Sequence, residues 1–480
     1  MSRDDVGILA CGAYVPRARL PATLVGGAHG WFSPSLKKAG DGRRSFCNWD
    51  EDSVTMAVEA ARDCLARSDA ASIGRVELAS TTLPFADRSN AGLLREALDL
   101  PDDANLSDSG GSLRAASAAT LRALENDDGR AALVIGSDCV ETKPASAQEA
   151  THGHAAAAIV VGKGDPLARL KGSASLHQDF VDHYRSAGER FNYTLEARWT
   201  RDAGYRQQTR DVYARALADA GIGADGVHHV AVAAPPALAK AVARIVGATS
   251  VIGSELAKQA GFCGAAEPML KLVAALQSAD AGETVVLVSL GQGIDVLVFE
   301  IVKPCSSRSL ALQLESGADE TNYCRYLALR RLLGLDEGIR AERDNRTAQS
   351  AAWRKHESIT GFKGGLCTAC GTLQFPQSVV CVNCGSGHTQ EPFRLADLKG
   401  RVRSFTEDWL AYTPSPPLIF GNVGFEKGAN VMMEFTDAAA GEIEVGMPVE
   451  LCFRIKDFDD RRQFRRYFWK PFPPRGASDG

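Results

Sequence analysis

Leu65-Ala66-Arg67-Ser68, running on to Val76-Glu77-Leu78-Ala79, and the stretch from Leu217 to Ala231 share one layout 152 residues apart: a helix end, a short turn and a strand. The offset recurs. Leu121-Arg122-Ala123-Leu124, ahead of Ala131-Ala132-Leu133-Val134-Ile135-Gly136, matches Val273-Ala274-Ala275-Leu276, ahead of Val285-Val286-Leu287-Val288-Ser289-Leu290, again 152 residues on. Anchors at a single offset imply two copies of one unit. Within each copy, Ala-rich stretches of helical length alternate with runs of Val, Ile, Leu and Ala. Apolar strands without polar alternation suit a sheet covered by helices on both faces, so the first 303 residues read as a duplicated α/β fold.

Beyond Lys303 the chain turns polar, and a helical run is expected from Arg325 to Arg346, ending at Thr347. Cys367-Thr368-Ala369-Cys370 and, ten residues later, Cys381-Val382-Asn383-Cys384 follow. Each pair forms a turn that aims two thiolates at one tetrahedral ion, the spacing of a structural zinc ribbon with ligands Cys367, Cys370, Cys381 and Cys384. Four thiolates leave no open position, which assigns the Zn2+ to folding. Short apolar segments at Val402–Thr406, Gly421–Phe425, Val431–Phe435 and Val449–Ile455 then predict a small β-barrel of the OB type. The expected organisation is two halves at 1–165 and 166–303, a linker and docking helix at 304–360, the ribbon at 361–395, the barrel at 396–472 and a flexible tail at 473–480.

The 480 residues are 45% hydrophobic and 24% charged, with a net charge of −5, an ordinary globular balance that lacks the basic excess of a dedicated nucleic-acid binder. Nucleic acid is therefore not an expected partner. Nor is a membrane: no apolar run reaches the length of a span, and Met1-Ser2-Arg3-Asp4-Asp5 is unlike a secretory signal, so a cytoplasmic location is expected. Twelve cysteines are too sparse for a disulfide scaffold.

Three clusters carry chemistry. Asn105 to Ala116 runs from a strand through Gly110-Gly111 into a helix, a turn that exposes Ser112 and Leu113 at a helix N-terminus; Ser112 reads first as an N-cap, having no evident base. Gly261-Phe262-Cys263-Gly264 to Glu267-Pro268 is the symmetric turn, with a thiol and a carboxylate. Asp182-His183-Tyr184 joins a carboxylate, an imidazole and a phenol, groups that move protons near neutral pH and hold an enolate oxygen. His152 and His154 read as satisfied turn histidines. At the far end, Arg465, Arg466, Trp469 and Lys470 interleave cations with aromatics, a surface for phosphates and a stacked base, such as those of coenzyme A.

Gly7 to Pro16, Asn48-Trp49-Asp50-Glu51-Asp52, Ala79-Ser80-Thr81-Thr82, Gly111 to Ala119 and Gly291-Gln292-Gly293 together resemble the thiolase superfamily, in its hydroxymethylglutaryl-CoA synthase and ketoacyl synthase III branch. Residues 361–472 resemble a zinc-ribbon plus OB-fold family of acyl-CoA-associated proteins. The resemblance implies a layered α-β-α-β-α architecture, a homodimer, an acyl-CoA substrate and a place beside a separate thiolase. By motif, the family's nucleophilic cysteine falls on Leu113, its glutamate on about Thr81, its histidine on about Ala233 and its asparagine on about Phe262. None of the four residue types is present. Without the thiol no acyl-enzyme forms there, and the resemblance then implies retro-aldol cleavage of a β-hydroxyacyl-CoA, with Asp182, His183, Tyr184 and Glu267 as the catalytic set. The alternatives are a synthase-like condensing enzyme and a non-catalytic acyl-CoA-binding partner.

Overall fold

The computed structural model describes residues 6–38, 40–126, 129–338 and 348–474. The chain forms two compact units: 1–47, 52–95 and 100–323 make the first, and 48–51, 96–99 and 324–480 the second.

In the first unit the strands of the large sheet are β1 (Val6–Tyr14), β2 (Ile73–Ala79), β3 (Asn105–Ser109), β4 (Ala131–Asp138), β5 (Ala155–Lys163), β6 (Ala168–His177), β7 (His229–Ala233), β8 (Thr284–Leu290) and β9 (Gly293–Ile301). They form one mixed sheet in the order β7-β8-β9-β6-β1-β5-β4-β2-β3. Its two wings repeat each other outward from the centre. In one, β5 runs antiparallel to β1 and to β4, and β2 parallel to β4; in the other, β9 runs antiparallel to β6 and to β8, and β7 parallel to β8. A parallel bridge from Val230 to Val251 stands where β3 lies in the first wing. The sheet is continuous, its wings joined at Ile8–Ala168.

Helices Ala115–Glu125 and Glu267–Ser278 pack against strands of both wings, while Ser53–Leu65 covers the outer face of one wing and Arg206–Ala220 that of the other. Every residue of Ala155–Gly162 is buried, as a sheet covered on both faces requires. Two glycines make the outer helices fit. A Cβ on Gly12 would come within 2.3 Å of Cys64 N, and one on Gly172 within 2.4 Å of Ala220 N, so each wing brings its outer helix onto a side-chain-free strand position.

In the second unit the expected docking helix is short: it spans Tyr323–Leu329, Leu332 N closes back on Leu327 O and Arg331 is left-handed at φ 54°. Residues 339–347 of that expected helix and 475–480 of the expected tail lie outside the described residues. Strands Lys363–Cys367, Leu373–Gln374 and Gln390–Arg394 form a small sheet that carries the cysteines. A five-stranded antiparallel sheet follows, with Asn430–Glu434 at one end and Phe464–Phe472 at the other. Lys470 on one end strand lies 3.8 Å from Glu434 on the other. Asp50 is buried in this unit between Lys470 Nζ at 3.1 Å and Thr436 Oγ1 at 2.8 Å, and Arg454 reaches Glu51 at 3.2 Å.

Candidate active site

The segment between β6 and helix Arg206–Ala220 folds as a loop with a two-residue ladder, His183–Tyr184 against Tyr193–Thr194. Asp182 stands just ahead of it and turns back: its Oδ1 accepts from His183 N at 2.8 Å and meets His183 Nδ1 at 2.7 Å. A π-turn at Thr200–Tyr205, an irregularity common at functional sites, delivers Tyr205 beneath the pair. Tyr205 Oη donates to Asp182 Oδ2 at 2.5 Å and accepts from Gln292 N at 3.0 Å. Burial pushes the Asp182 carboxyl up, but the hydrogen bonds and charge of His183, with the Tyr205 hydroxyl, outweigh it and hold the group below the usual carboxylate range. Asp182 engages the imidazole at Nδ1, which leaves Nε2 as the ring nitrogen that can act as a base.

His183, Tyr184 and Arg185 line a cavity of about 480 Å³ together with Thr81, Asn192 and Gln292. Its far wall is the glycine turn Ser109-Gly110-Gly111-Ser112, leading into helix Ala115–Glu125. Ser112 holds this turn rather than capping the helix, whose N-cap is Arg114: its oxygen accepts from Arg114 N at 3.1 Å and its hydroxyl donates to Gly291 O at 3.0 Å. Leu113 is buried against Gly291, where an added Cβ would fall 2.8 Å from the leucine Cβ. Arg114 anchors the turn from behind through Asp295 at 2.7 Å and Gly291 O at 2.9 Å, and Asp295 also accepts from Ser117 and Ser175.

Thr81, Ala233 and Phe262 are held in structural contacts. Asp138, fully buried, accepts from Thr81 N, Thr81 Oγ1, Thr82 Oγ1, Ser80 Oγ and Ala265 N at 2.7 to 3.1 Å. Ala233 ends β7, and Phe262 packs edge-on to His152. His154 is satisfied at both ring nitrogens, by Cys47 N and Val140 O.

Glu267 is not among the residues that line the cavity. Its carboxylate is buried at the start of its helix, accepts from Cys263 N at 3.0 Å and faces Lys271 Nζ at 3.5 Å, and burial raises its pKa. Cys263 is likewise buried, with its thiol pushed well up by desolvation and the glutamate charge, far from a reactive thiolate.

In the second unit the four expected ligands converge: all four sulfurs lie within 4.8 Å of one another, with Cys367–Cys384 at 3.8 Å and Cys370–Cys381 at 3.7 Å. A tetrahedral ion with bonds of about 2.3 Å sets its sulfurs about 3.8 Å apart, so the donor set fits one. The C-terminal cationic and aromatic run divides. Trp469 is fully buried and donates to Thr360 O at 2.8 Å, and Lys470 is buried on Asp50, which corrects the picture of both as an open surface. They close the floor of a second cavity, of about 490 Å³, where Arg466 pairs with Asp457 beside Lys456 and Met432. Arg465 is half-buried on the same strand.

Tyr205 was not singled out in the sequence. Tyr205 lies 23 positions from its partner, a separation that carries no motif.

No family model matches the chain. A hydroxymethylglutaryl-CoA synthase of Aeropyrum pernix is 33% identical over 188 residues, 38% of this chain and 52% of that protein. One from Thermococcus gammatolerans is 26% identical over 338 residues, 68% of this chain and 95% of its own. At 30% identity or more, the chain spans about half the length of the curated relatives it matches. Among solved structures, MvaS in complex with 3-hydroxy-3-methylglutaryl coenzyme A gives a TM-score of 0.58 at 19% identity, covering 68% of this chain and 92% of that one. 3-Oxoacyl-(acyl carrier protein) synthase III of Pseudomonas aeruginosa gives 0.54 at 22%, covering 63% and 99%. The fold is that of the thiolase-like condensing enzymes. Among the described residues no helix is long and apolar enough to cross a membrane.

Proposed function

We propose that this chain binds an acyl thioester of coenzyme A in the His183 cavity and acts on its carbon–carbon bond without a covalent acyl-enzyme. One observation carries the reading: His183, paired with Asp182, lines a cavity whose glycine turn runs on from Ser112 into a buried leucine at position 113. The relatives support the coarser part. Hydroxymethylglutaryl-CoA is a β-hydroxyacyl thioester, so its synthesis and its cleavage share one step: a thioester enolate adding to a carbonyl, or leaving it.

In the cleavage direction His183 Nε2 takes the proton of the β-hydroxyl, the bond between the α and β carbons breaks, and a ketone or aldehyde leaves with the electron pair on the enolate. Tyr184, Arg185 and Asn192 supply donors for the enolate oxygen; the His183 proton then returns to carbon. Leu113 is compatible with this route because the route needs no nucleophile. The second reading is the same step in the synthetic direction, a condensing reaction like that named for the relatives, and the names of those relatives favour it.

In the second unit we place a structural Zn2+ on Cys367, Cys370, Cys381 and Cys384, a zinc ribbon at 361–395 and an OB-type barrel at 396–472. Within the second unit, the 490 Å³ cavity lined by Lys456, Arg466, Trp469 and Lys470, with Arg465 on the same strand, is proposed as an anion-binding surface of that unit. A homodimer through the thiolase-like unit, and association with a separate thiolase, belong to the same proposal.

The test is mass spectrometry of the purified chain with panels of β-hydroxyacyl-CoA and β-ketoacyl-CoA, with and without a co-expressed thiolase. Cleavage or condensation by the chain alone supports an enzyme and fixes the direction. Products that form only with the thiolase overturn the enzymatic reading and leave a presenting subunit.

A further inference from the structure

Cys11 lies in the middle of β1, where it pairs with Ile159 of β5, and its side chain is fully buried. Cys305 follows β9 in the segment that leaves the sheet, held by its N–H on Leu276 O at 3.1 Å, and is partly exposed. These residues are 294 positions apart, and their sulfurs are 3.5 Å apart. Closing that gap to a disulfide bond needs a movement of about 1.5 Å, within reach of small side-chain rotations.

The surroundings make the two sulfurs unequal. The Cys11 thiol donates to Cys305, and this bond, with a backbone hydrogen bond at Ser307 and the nearby Arg67 guanidinium, outweighs burial and draws Cys305 down to about 6. Cys11 is driven upward by the same bond and by burial. Asp63, the carboxylate nearest the pair, is spent on Arg67 at 2.9 Å, Ala13 N at 3.0 Å and Ser309 Oγ at 2.6 Å. Cys64, also adjacent, is buried and pushed up by desolvation. One partner is thus an accessible thiolate and the other a protonated, sheltered thiol, the division of labour of an attacking and a resolving cysteine.

We propose that Cys11 and Cys305 form a reversible thiol–disulfide pair closed by hydrogen peroxide. The Cys305 thiolate attacks one peroxide oxygen, the O–O bond breaks, and the hydroxide released takes a proton to become water, leaving a sulfenic acid on Cys305. The Cys11 sulfur then attacks the Cys305 sulfur; the S–S bond forms, the S–O bond breaks, and the Cys11 proton leaves with the departing hydroxide as a second water. Two thiols lose two electrons and one peroxide gains them. The product ties the first strand of one wing to the segment that ends the other. Neither cysteine lines the His183 cavity, so the pair stands apart from the proposed catalytic reading.

The experiment uses the full chain, reduced and metal-loaded, titrated with hydrogen peroxide at neutral pH, alkylated, digested without reductant and read by mass spectrometry. The expected result is a Cys11–Cys305 linked peptide about 2 Da lighter than the sum of its parts, abolished by dithiothreitol. In Cys11→Ser, Cys305 should stall as a sulfenic acid that dimedone labels. Alkylation of both cysteines after peroxide has oxidised other thiols overturns the proposal, as does linkage of Cys305 to Cys64 instead. The wild-type measurement decides even if a variant fails to fold.

Discussion

His183 Nδ1 sits 2.7 Å from Asp182 Oδ1, and Tyr205 pins the other oxygen of that carboxylate at 2.5 Å. Tyr205 is itself held by Gln292 N, so three elements far apart in sequence fix one imidazole. Tyr205→Phe removes the donor to Asp182 and the acceptor for Gln292 N. It should cost about 1–3 kcal/mol in stability and lower kcat while KM changes little, as steady-state kinetics and urea unfolding will read.

The Asp182 carboxyl is depressed in the folded chain, so its stabilising contribution is complete above its unfolded pKa, near ~3.9, and drains away as pH falls through the folded value. Unfolding free energy measured from pH 7 down to acid should therefore decline less steeply in Asp182→Asn than in wild type, because the variant has already lost this term at neutral pH.

Leu113→Cys places a thiol at the glycine turn without a base beside it, since neither Ala233 nor Phe262 can take up a proton. Incubation with short acyl-CoA thioesters should leave the intact mass of this variant unchanged. An added acyl mass would show that the turn can still activate a nucleophile.

Zinc content should be one ion per chain and should vanish in a Cys370→Ser, Cys381→Ser double variant. Structural zinc contributes on the order of 10 kcal/mol to small metal domains, so chelation should expose residues 363–394 to proteolysis before the thiolase-like unit. Elemental analysis and limited digestion check both.

Much of this was legible in the sequence for physical reasons. The 152-residue offset survives because each copy needs its own helix, turn and strand, and the two cysteine pairs are legible because a tetrahedral ion needs two tight turns. The close approaches at Gly12 and Gly172 were hidden, since a glycine's role depends on what presses against it. Tyr205 was hidden because a π-turn has no spacing signature. The surroundings of Glu267 were hidden too: its glycine-bounded turn looks like an open site, whereas its carboxylate is buried on Cys263 N and Lys271. Lys470 and Trp469 carried a surface-like pattern of cations and rings, yet the end strand turns both inward onto Asp50 and Thr360.

The most direct test is steady-state turnover of β-hydroxyacyl-CoA thioesters by wild type, His183→Ala and Glu267→Gln in the absence of any other thiolase. The account predicts a loss of about 10²–10⁴-fold in kcat for His183→Ala with thioester binding retained, and near wild-type turnover for Glu267→Gln. Wild-type rates in His183→Ala would contradict it.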